Sequence, residues 1–175
     1  LESVIYAGNA HETHLKGWFK RGEIEGQLMA AAEGDEGAFR LRKGWFLGDG
    51  TGCGKGRQVA GIILDNWLKG RRRAVWVSKS DKLIEDARRD WMALGGRESD
   101  IVPLSKFRQG SDIRLPEGIL FVTYATLRSA ERDGKASRLD QVTSWLGEGF
   151  NGVIAFDESH AMANAAGEKS DRGDK

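Results

Sequence analysis

Short apolar runs alternate along the chain with segments in which apolar residues recur at helical spacing. The runs predict buried strands at residues 44–47, 74–77, 101–104, 118–122 and 152–156. The helical segments between them carry the apolar stripes Val59-Ile63-Trp67, Leu83-Ala87-Trp91 and Leu139-Val142-Leu146. Strands that alternate with helices are typical of a layered α/β fold with a mostly parallel central sheet.

The same pattern gives an interpretation for two tryptophans and for a basic run. Trp67 and Trp91 continue apolar helical stripes, so we predict that they pack in the core rather than serve as platforms for nucleic-acid bases. Residues 71–73 are three consecutive arginines after Gly70, and we favour a helix C-terminus over a nucleic-acid contact. Residues 1–20 predict an amphipathic helix, and residues 30–43 predict a loop.

A glycine-rich segment, GDGTGCGKGR at residues 48–57, lies between the first predicted strand and the first helical stripe. Glycines let successive backbone N–H groups turn toward an anion, and a helix N-terminus adds partial positive charge. Lys55 then reaches the terminal phosphates as a compact point charge. The context predicts a phosphate-binding loop of the Walker A kind; the alternative is a flexible turn with a surface lysine.

Two positions depart from the usual pattern of such loops. Asp49 stands where the pattern has its first glycine, and Gly56 stands where it has Ser or Thr. The central run Gly52-Cys53-Gly54-Lys55 keeps to the pattern.

An acidic pair, Asp157 and Glu158, follows the last predicted strand directly. Nucleotide hydrolysis needs a carboxylate for the Mg²⁺ that bridges the phosphates, and Asp157 suits that role. It also needs a group that polarises the attacking water, and Glu158 suits that one. A phosphate-loop lysine followed later in the chain by this pair predicts a nucleotide site.

Length and composition limit the number of domains and the cellular environment that the sequence allows. The 175 residues are enough for one domain with its own core. The net charge is +1, so any nucleic-acid surface has to be local. Cys53, the single cysteine, leaves no internal disulfide and favours a reducing, cytoplasmic setting. No apolar run is long enough for a membrane span, and no signal-peptide pattern is visible.

The run Asp157-Glu158-Ser159-His160 resembles the DExH box of superfamily 2 helicases and translocases. Within that superfamily, the loop GDGTGCGKGR, the following Gly61-Ile62-Ile63 and the box at residues 156–160 resemble the strawberry notch family. The similarity extends over nearly the whole chain, and even Gly56 fits the loop of this family. The resemblance implies a RecA-like first motor domain that binds ATP with Mg²⁺ and acts on DNA or RNA.

The resemblance also implies roles for individual residues. The expected nucleotide-binding residues run through the loop into the helix: Gly50, Thr51, Gly52, Cys53, Gly54, Lys55, Gly56 and Arg57. Asp157 is the expected metal ligand, and the expected catalytic residues are Lys55, Glu158 and His160, of which His160 links the nucleotide site to the nucleic-acid side. Strand-end residues that match motifs touching the nucleic-acid backbone are Ser78, Lys79, Ser80, Thr123 and Tyr124.

The same resemblance implies a domain organisation. We expect residues 1–43 to form a helical segment and loop, residues 44–162 the RecA-like nucleotide-binding domain, and residues 163–175 a disordered tail rich in charge and glycine. The adenine-reading Gln, the Ser-Ala-Thr coupling motif and the second motor domain of such enzymes are not found in this sequence. We therefore expect a fragment of a longer protein whose second RecA-like domain is its partner.

Two other functions remain open at this point. Residues 49–54 also resemble the glycine-rich motif of S-adenosylmethionine-dependent methyltransferases, which carry an acid at the end of the second strand, whereas Val77-Ser78-Lys79 has none. A non-catalytic nucleotide-binding scaffold or regulatory domain is the other alternative. The missing hydroxyl at Gly56 favours it, and the intact Lys55, Asp157 and Glu158 oppose it.

Overall fold

The computed structural model describes residues 1–24, 27–50, 52–128 and 136–162. The chain divides into two compact units, Leu1–Asp65 and a second unit from Asn66 onward, and each is described by itself. The predicted tail at residues 163–175 lies outside the described residues. No helix within the described ranges is long and apolar enough to cross a membrane.

The first unit contains a helix and a small antiparallel sheet. Its elements are α1 (Glu2–His11), β1 (Trp18–Arg21), β2 (Leu28–Ala31) and the start of α2 (Lys55–Leu68), which continues into the second unit. In the sheet Trp18 lies opposite Ala31, and a separate bridge joins Phe19 to Phe39. The single helix predicted for residues 1–20 is therefore too long, because the chain leaves the helix after His11 and turns at Gly17, whose φ is 96°.

Residues 44–47 do not form the predicted buried strand. Trp45 is 42% exposed and Phe46 is 78% exposed. A strand needs a neighbour that pairs with its backbone groups and shelters its side chains. In the described part of this unit, the sheet consists of β1 and β2 alone, and neither pairs with these residues.

The second unit is built on a parallel sheet in the order β4-β5-β3-β6. The strands are β3 (Arg73–Ser78), β4 (Ile101–Pro103), β5 (Gly118–Thr123) and β6 (Val153–Phe156). The helices are α3 (Ile84–Met92), α4 (Tyr124–Leu127) and α5 (Arg138–Leu146), joined by 3₁₀ turns at Asp81–Leu83, Glu98–Asp100, Leu104–Lys106 and Ser159–Met162. All four strands were predicted, and the α/β fold class is confirmed.

The core of the second unit lies on both faces of the sheet. Val75, Val77, Leu120 and Val122 form one cluster with Val142 and Trp145 of α5. Trp91 is 2% exposed, and its ring lies 5.4 Å from that of the half-buried Trp67, measured between centroids. Both rings are therefore part of the packing, as the helical stripes predicted.

The arginine run after α2 belongs to a helix ending. Gly70 has φ 84°, its N–H donates to Trp67 O, and the next amide, Arg71 N, donates to Asn66 O. This pair of bonds is a Schellman ending, for which glycine suits the left-handed position. The guanidinium of Arg71 donates to Asn66 Oδ1, that of Arg72 pairs with Glu117, and that of Arg73 donates to Pro116 O and Trp145 O. The prediction of a structural role for this run is confirmed.

Candidate functional site

The predicted phosphate loop lies in the first unit, immediately before α2. Gly52 and Gly54 have φ values of 84° and 70°, a region that glycine enters without steric cost. Nothing lies within 4 Å of a Cβ built at either position, so the space beside the loop is open. The first backbone bond of α2 runs from Gln58 N to Gly54 O, and the amides of Lys55 and Gly56 precede it. Helix-terminal amides of this kind favour an anion.

Two side chains brace this loop. Lys55 Nζ donates to Asp49 O and to Gly50 O, both at 3.0 Å. Gln58 Nε2 donates to Asp49 Oδ2 at 2.7 Å and to Cys53 O at 3.1 Å. Asp49, which departs from the usual loop pattern, therefore holds the loop to the first turn of α2. Thr51 lies outside the described residues.

The acidic pair lies in the second unit, where β6 ends. Asp157 N donates to Val77 O at 2.9 Å, which extends the pairing of β6 with β3 by one residue. Ser78 Oγ, on a completely buried residue, donates to Asp157 Oδ2 at 3.3 Å. Tyr124 OH donates to Asp157 O at 2.8 Å. The amide, the carbonyl and the carboxylate of Asp157 are thus all engaged.

Glu158 occupies an uncommon backbone conformation. Its φ is 53°, the one positive value among described residues other than glycine. Its carboxylate Oε2 lies 3.2 Å from Nδ1 of His160, and the two side chains are 40% and 75% exposed. Both residues reach solvent, where a ligand and the water of a hydrolysis can meet them.

Tyr124 is buried beside these carboxylates. Burial raises the pKa of its phenol above the ordinary tyrosine value, and the negative charges of Asp157 and then Glu158 raise this pKa further. The hydroxyl consequently stays protonated, and remains a hydrogen-bond donor, through the neutral pH range.

The residues predicted to touch nucleic acid fall into two groups. The side chains of Ser78, Thr123 and Tyr124 are at most 8% exposed. Lys79 is exposed, and Ser80 is half-buried and caps the turn that follows β3. Only Lys79 and Ser80 of these five present their side chains to solvent.

Each unit offers groups that suit one part of a nucleotide with a divalent metal. The loop offers backbone amides and Lys55 to phosphate, and Asp157 offers a carboxylate oxygen to a cation. Among the described residues, no three His, Cys, Asp or Glu side chains form a group that would hold a metal ion by themselves. Mg²⁺ would suit Asp157, because this ion binds in proteins through one or two carboxylates, with phosphates and water as its other ligands.

Sequence reasoning missed two contacts of this chemistry. The Gln58–Asp49 bond and the Tyr124–Asp157 bond each join a residue that was identified from its motif to one whose role the motif did not reveal. The stretch Thr123-Tyr124 was noticed, but for contact with nucleic acid. The sequence does indicate that Tyr124 lies at the end of a buried strand. It does not indicate that the hydroxyl of Tyr124 donates to Asp157 O.

The glycine-rich loop before α2 and, in the second unit, the parallel α/β sheet are both features of P-loop nucleotide hydrolase domains. The chain matches the family described as P-loop containing NTP hydrolase pore-1 over residues 1–175, and it belongs to that family. No solved structure matches the chain.

The similarity to strawberry notch proteins that the motifs indicated is confirmed. The chain is 45% identical over 171 residues to strawberry notch homolog 2 of Mus musculus, covering 97% of this chain and 11% of the mouse protein. It is 38% identical over 172 residues to strawberry notch of Drosophila melanogaster, covering 94% and 9%. It is 36% identical over 168 residues to FORGETTER 1 of Arabidopsis thaliana, covering 94% and 11%. The chain thus spans about a tenth of the length of these relatives.

Proposed function

We propose that this chain is the ATP-binding first motor domain of a helicase-like ATPase that acts on nucleic acid. One observation carries the proposal. A glycine-dependent loop with Lys55 stands at the N-terminus of α2, in a chain where Asp157 and Glu158 directly follow strand β6. Membership of a P-loop NTP hydrolase family supports the nucleotide part.

Roles for the individual residues follow from the chemistry of phosphoryl transfer. We propose Gly50 through Arg57 as the nucleotide-binding segment, with Lys55 on the terminal phosphates. Asp157 holds Mg²⁺, and Glu158 orients and deprotonates the attacking water. His160, 3.2 Å from Glu158, connects this acid to the nucleic-acid side.

The nucleic-acid part of the proposal rests on Lys79 and Ser80, whose side chains reach solvent just beyond β3. Ser78, Thr123 and Tyr124 support these strand ends from within. The parent protein supplies the second RecA-like domain, and we propose a cytoplasmic setting for it. DNA and RNA remain equal candidates for the track.

The two alternatives are weaker on specific grounds. A methyltransferase needs an acid at the end of the second strand, and β3 ends at Ser78 with Lys79 after it. A non-catalytic scaffold has no need of an acid pair at the end of β6. Gly56, which lacks a metal-binding hydroxyl, is the observation that keeps the scaffold as the second candidate.

Calorimetric titration of ATP into the chain with Mg²⁺ present tests the proposal. We expect Lys55→Ala to abolish measurable binding and to leave the circular dichroism spectrum unchanged, because within the described residues the Lys55 ammonium donates to the exposed loop carbonyls of Asp49 and Gly50. Lys43→Ala is the matched control, an exposed lysine of the same unit. Equal ATP affinity of the wild type and Lys55→Ala would refute the phosphate-loop assignment. Absence of ATP binding by the wild type would refute the nucleotide part altogether.

A further inference from the structure

Tyr124 connects the ends of three strands. It follows β5 directly, and its ring lies in the core cluster that includes Val77 and Val122. Since β3 lies between β5 and β6 in the sheet, the Tyr124 hydroxyl passes the end of β3 to reach Asp157 O at 2.8 Å. The side chain is thus a brace across the carboxyl edge of the sheet.

The acceptor of this bond is the carbonyl of the peptide that joins the two acids. Glu158, on the other side of that peptide, has φ 53°, a region that residues with a side chain rarely enter. A backbone persists in such a conformation only where its surroundings hold it. The Tyr124 hydroxyl fixes the orientation of the peptide, and the peptide fixes the direction in which the Glu158 side chain leaves the backbone.

Two further hydrogen bonds, both with residues at the end of β3, hold Asp157. Its amide donates to Val77 O, and its carboxylate accepts from Ser78 Oγ. A buried hydroxyl needs some partner, and that need alone does not select this carbonyl. Three bonds that converge on one acid, with a strained acid next to it, indicate that the arrangement serves the carboxylates.

We propose that Tyr124 is a positioning residue for the acid pair. Its hydroxyl fixes the orientation of the Asp157–Glu158 peptide, and with it the directions in which the two carboxylates leave the backbone, and it would make no contact with a ligand itself. The proposal rests on the proposed function, because it assumes that Asp157 binds Mg²⁺ with ATP.

The test compares the ATP affinity of the chain in Mg²⁺ with that in EDTA, by calorimetry. The ratio of the two dissociation constants is the magnesium gain. Asp157→Ala sets the value for complete loss of this gain. Tyr6→Phe is the matched control, because Tyr6 is the other of the two tyrosines in the sequence and its hydroxyl donates to the exposed Glu2.

We expect Tyr124→Phe to keep the wild-type affinity in EDTA and to reduce the magnesium gain about fivefold, the effect typical of one lost hydrogen bond. Tyr6→Phe should keep the full gain. An unchanged gain in Tyr124→Phe overturns the proposal, even if the melting temperature falls, because Tyr124 would then serve packing alone.

Two further measurements keep the outcome decisive. If Tyr124→Phe does not fold, 4-aminophenylalanine at position 124 keeps the shape of the side chain and a hydrogen-bond donor. Loss of the magnesium gain in that folded variant overturns the proposal.

If the wild type binds no ATP, the proposed function fails, but the positioning role is still measured by amide hydrogen exchange of residues 157–159. Faster exchange in Tyr124→Phe than in Tyr6→Phe supports the role, and equal exchange overturns it.

Discussion

In the proposed nucleotide site, Gly56 leaves Asp157 as the single protein ligand for the metal ion. Phosphate loops usually offer a Ser or Thr hydroxyl to Mg²⁺ at this position, and glycine offers none. If Mg²⁺ binds here, Asp157, the phosphates and water supply its ligands. An acid that carries this role alone benefits from a fixed geometry, which the bonds from Ser78 and Tyr124 provide.

The raised pKa of Tyr124 makes the stability of the chain depend on pH. Below the ordinary tyrosine value of about 10, the folded and unfolded states both hold the proton, and the contribution is fully present. As the pH rises past that value the unfolded chain loses the proton first, so the free energy of unfolding falls until the folded phenol also titrates. We expect this alkaline loss in wild type and not in Tyr124→Phe.

Urea denaturation in EDTA, from about pH 8 to about pH 11, measures this difference. Tyr6→Phe should follow the wild-type curve, because it leaves Tyr124 in place. Parallel curves for wild type and Tyr124→Phe would show that the Tyr124 phenol is no harder to ionise in the folded chain than in the unfolded one.

At the scale of the element, the ending of α2 determines how the chain enters β3. Gly70 has φ 84°, and the bonds from Gly70 N and Arg71 N close the last turn. Arg72 and Arg73 then reach acceptors just before β5, at Glu117 and Pro116 O, and Arg73 also donates to Trp145 O near the end of α5. The left-handed conformation of Gly70 thus ends α2 and leads the chain toward β3.

We expect Gly70→Ala to lower the free energy of unfolding by about 1 kcal/mol, because an alanine pays a steric cost in the left-handed region. Gly149→Ala is the control: Gly149 has no positive φ, and nothing lies within 4 Å of its added Cβ. Urea denaturation at neutral pH gives both values. Equal effects of the two substitutions would contradict the role of Gly70 in the helix ending.

The elements that were predictable are those whose signal is local. Strands β3 and β5 are buried along nearly their whole length, and continuous apolar runs mark such strands in parallel sheets. The run at residues 44–47 is equally apolar, but no strand among the described residues pairs with it. An apolar run in a sequence does not reveal whether a neighbouring strand will pair with it. The β1–β2 hairpin was missed because its strands are only four residues long.

The candidate site divides along the same line. Lys55, Asp157 and Glu158 could be named as candidates from the sequence, because phosphate and metal chemistry restrict the residue types in such motifs, and their roles stay a prediction. The Tyr124–Asp157 bond was not, because it depends on the strand order that places β3 between β5 and β6. Hydrogen-bond partners that are far apart in the chain are set by topology.

At the scale of the whole molecule, the chain is a small part of what its relatives contain, about a tenth of their length. In two-domain motors of the type that it resembles, the second domain supplies an arginine that stabilises the transition state. In this chain Arg71, Arg72 and Arg73 already bond to neighbouring groups of the second unit.

We therefore expect the purified chain to hydrolyse ATP at a negligible rate, with no stimulation by DNA or RNA. An arginine of this kind is worth roughly 10³–10⁵ in rate in phosphoryl-transfer enzymes. A steady-state ATPase assay measures this, with Glu158→Gln as the blank. Turnover well above that blank would mean that the chain, or a second copy of it, provides the arginine.

Strand β6 has a practical consequence for all of these measurements. Within the described residues it pairs with β3 alone, and Ile154 and Phe156 are 42% and 47% exposed on it. An open sheet edge with apolar side chains invites another chain to add a strand. We therefore expect the chain to self-associate in concentrated samples. Each titration should be repeated at several protein concentrations, and light scattering should accompany every melting curve.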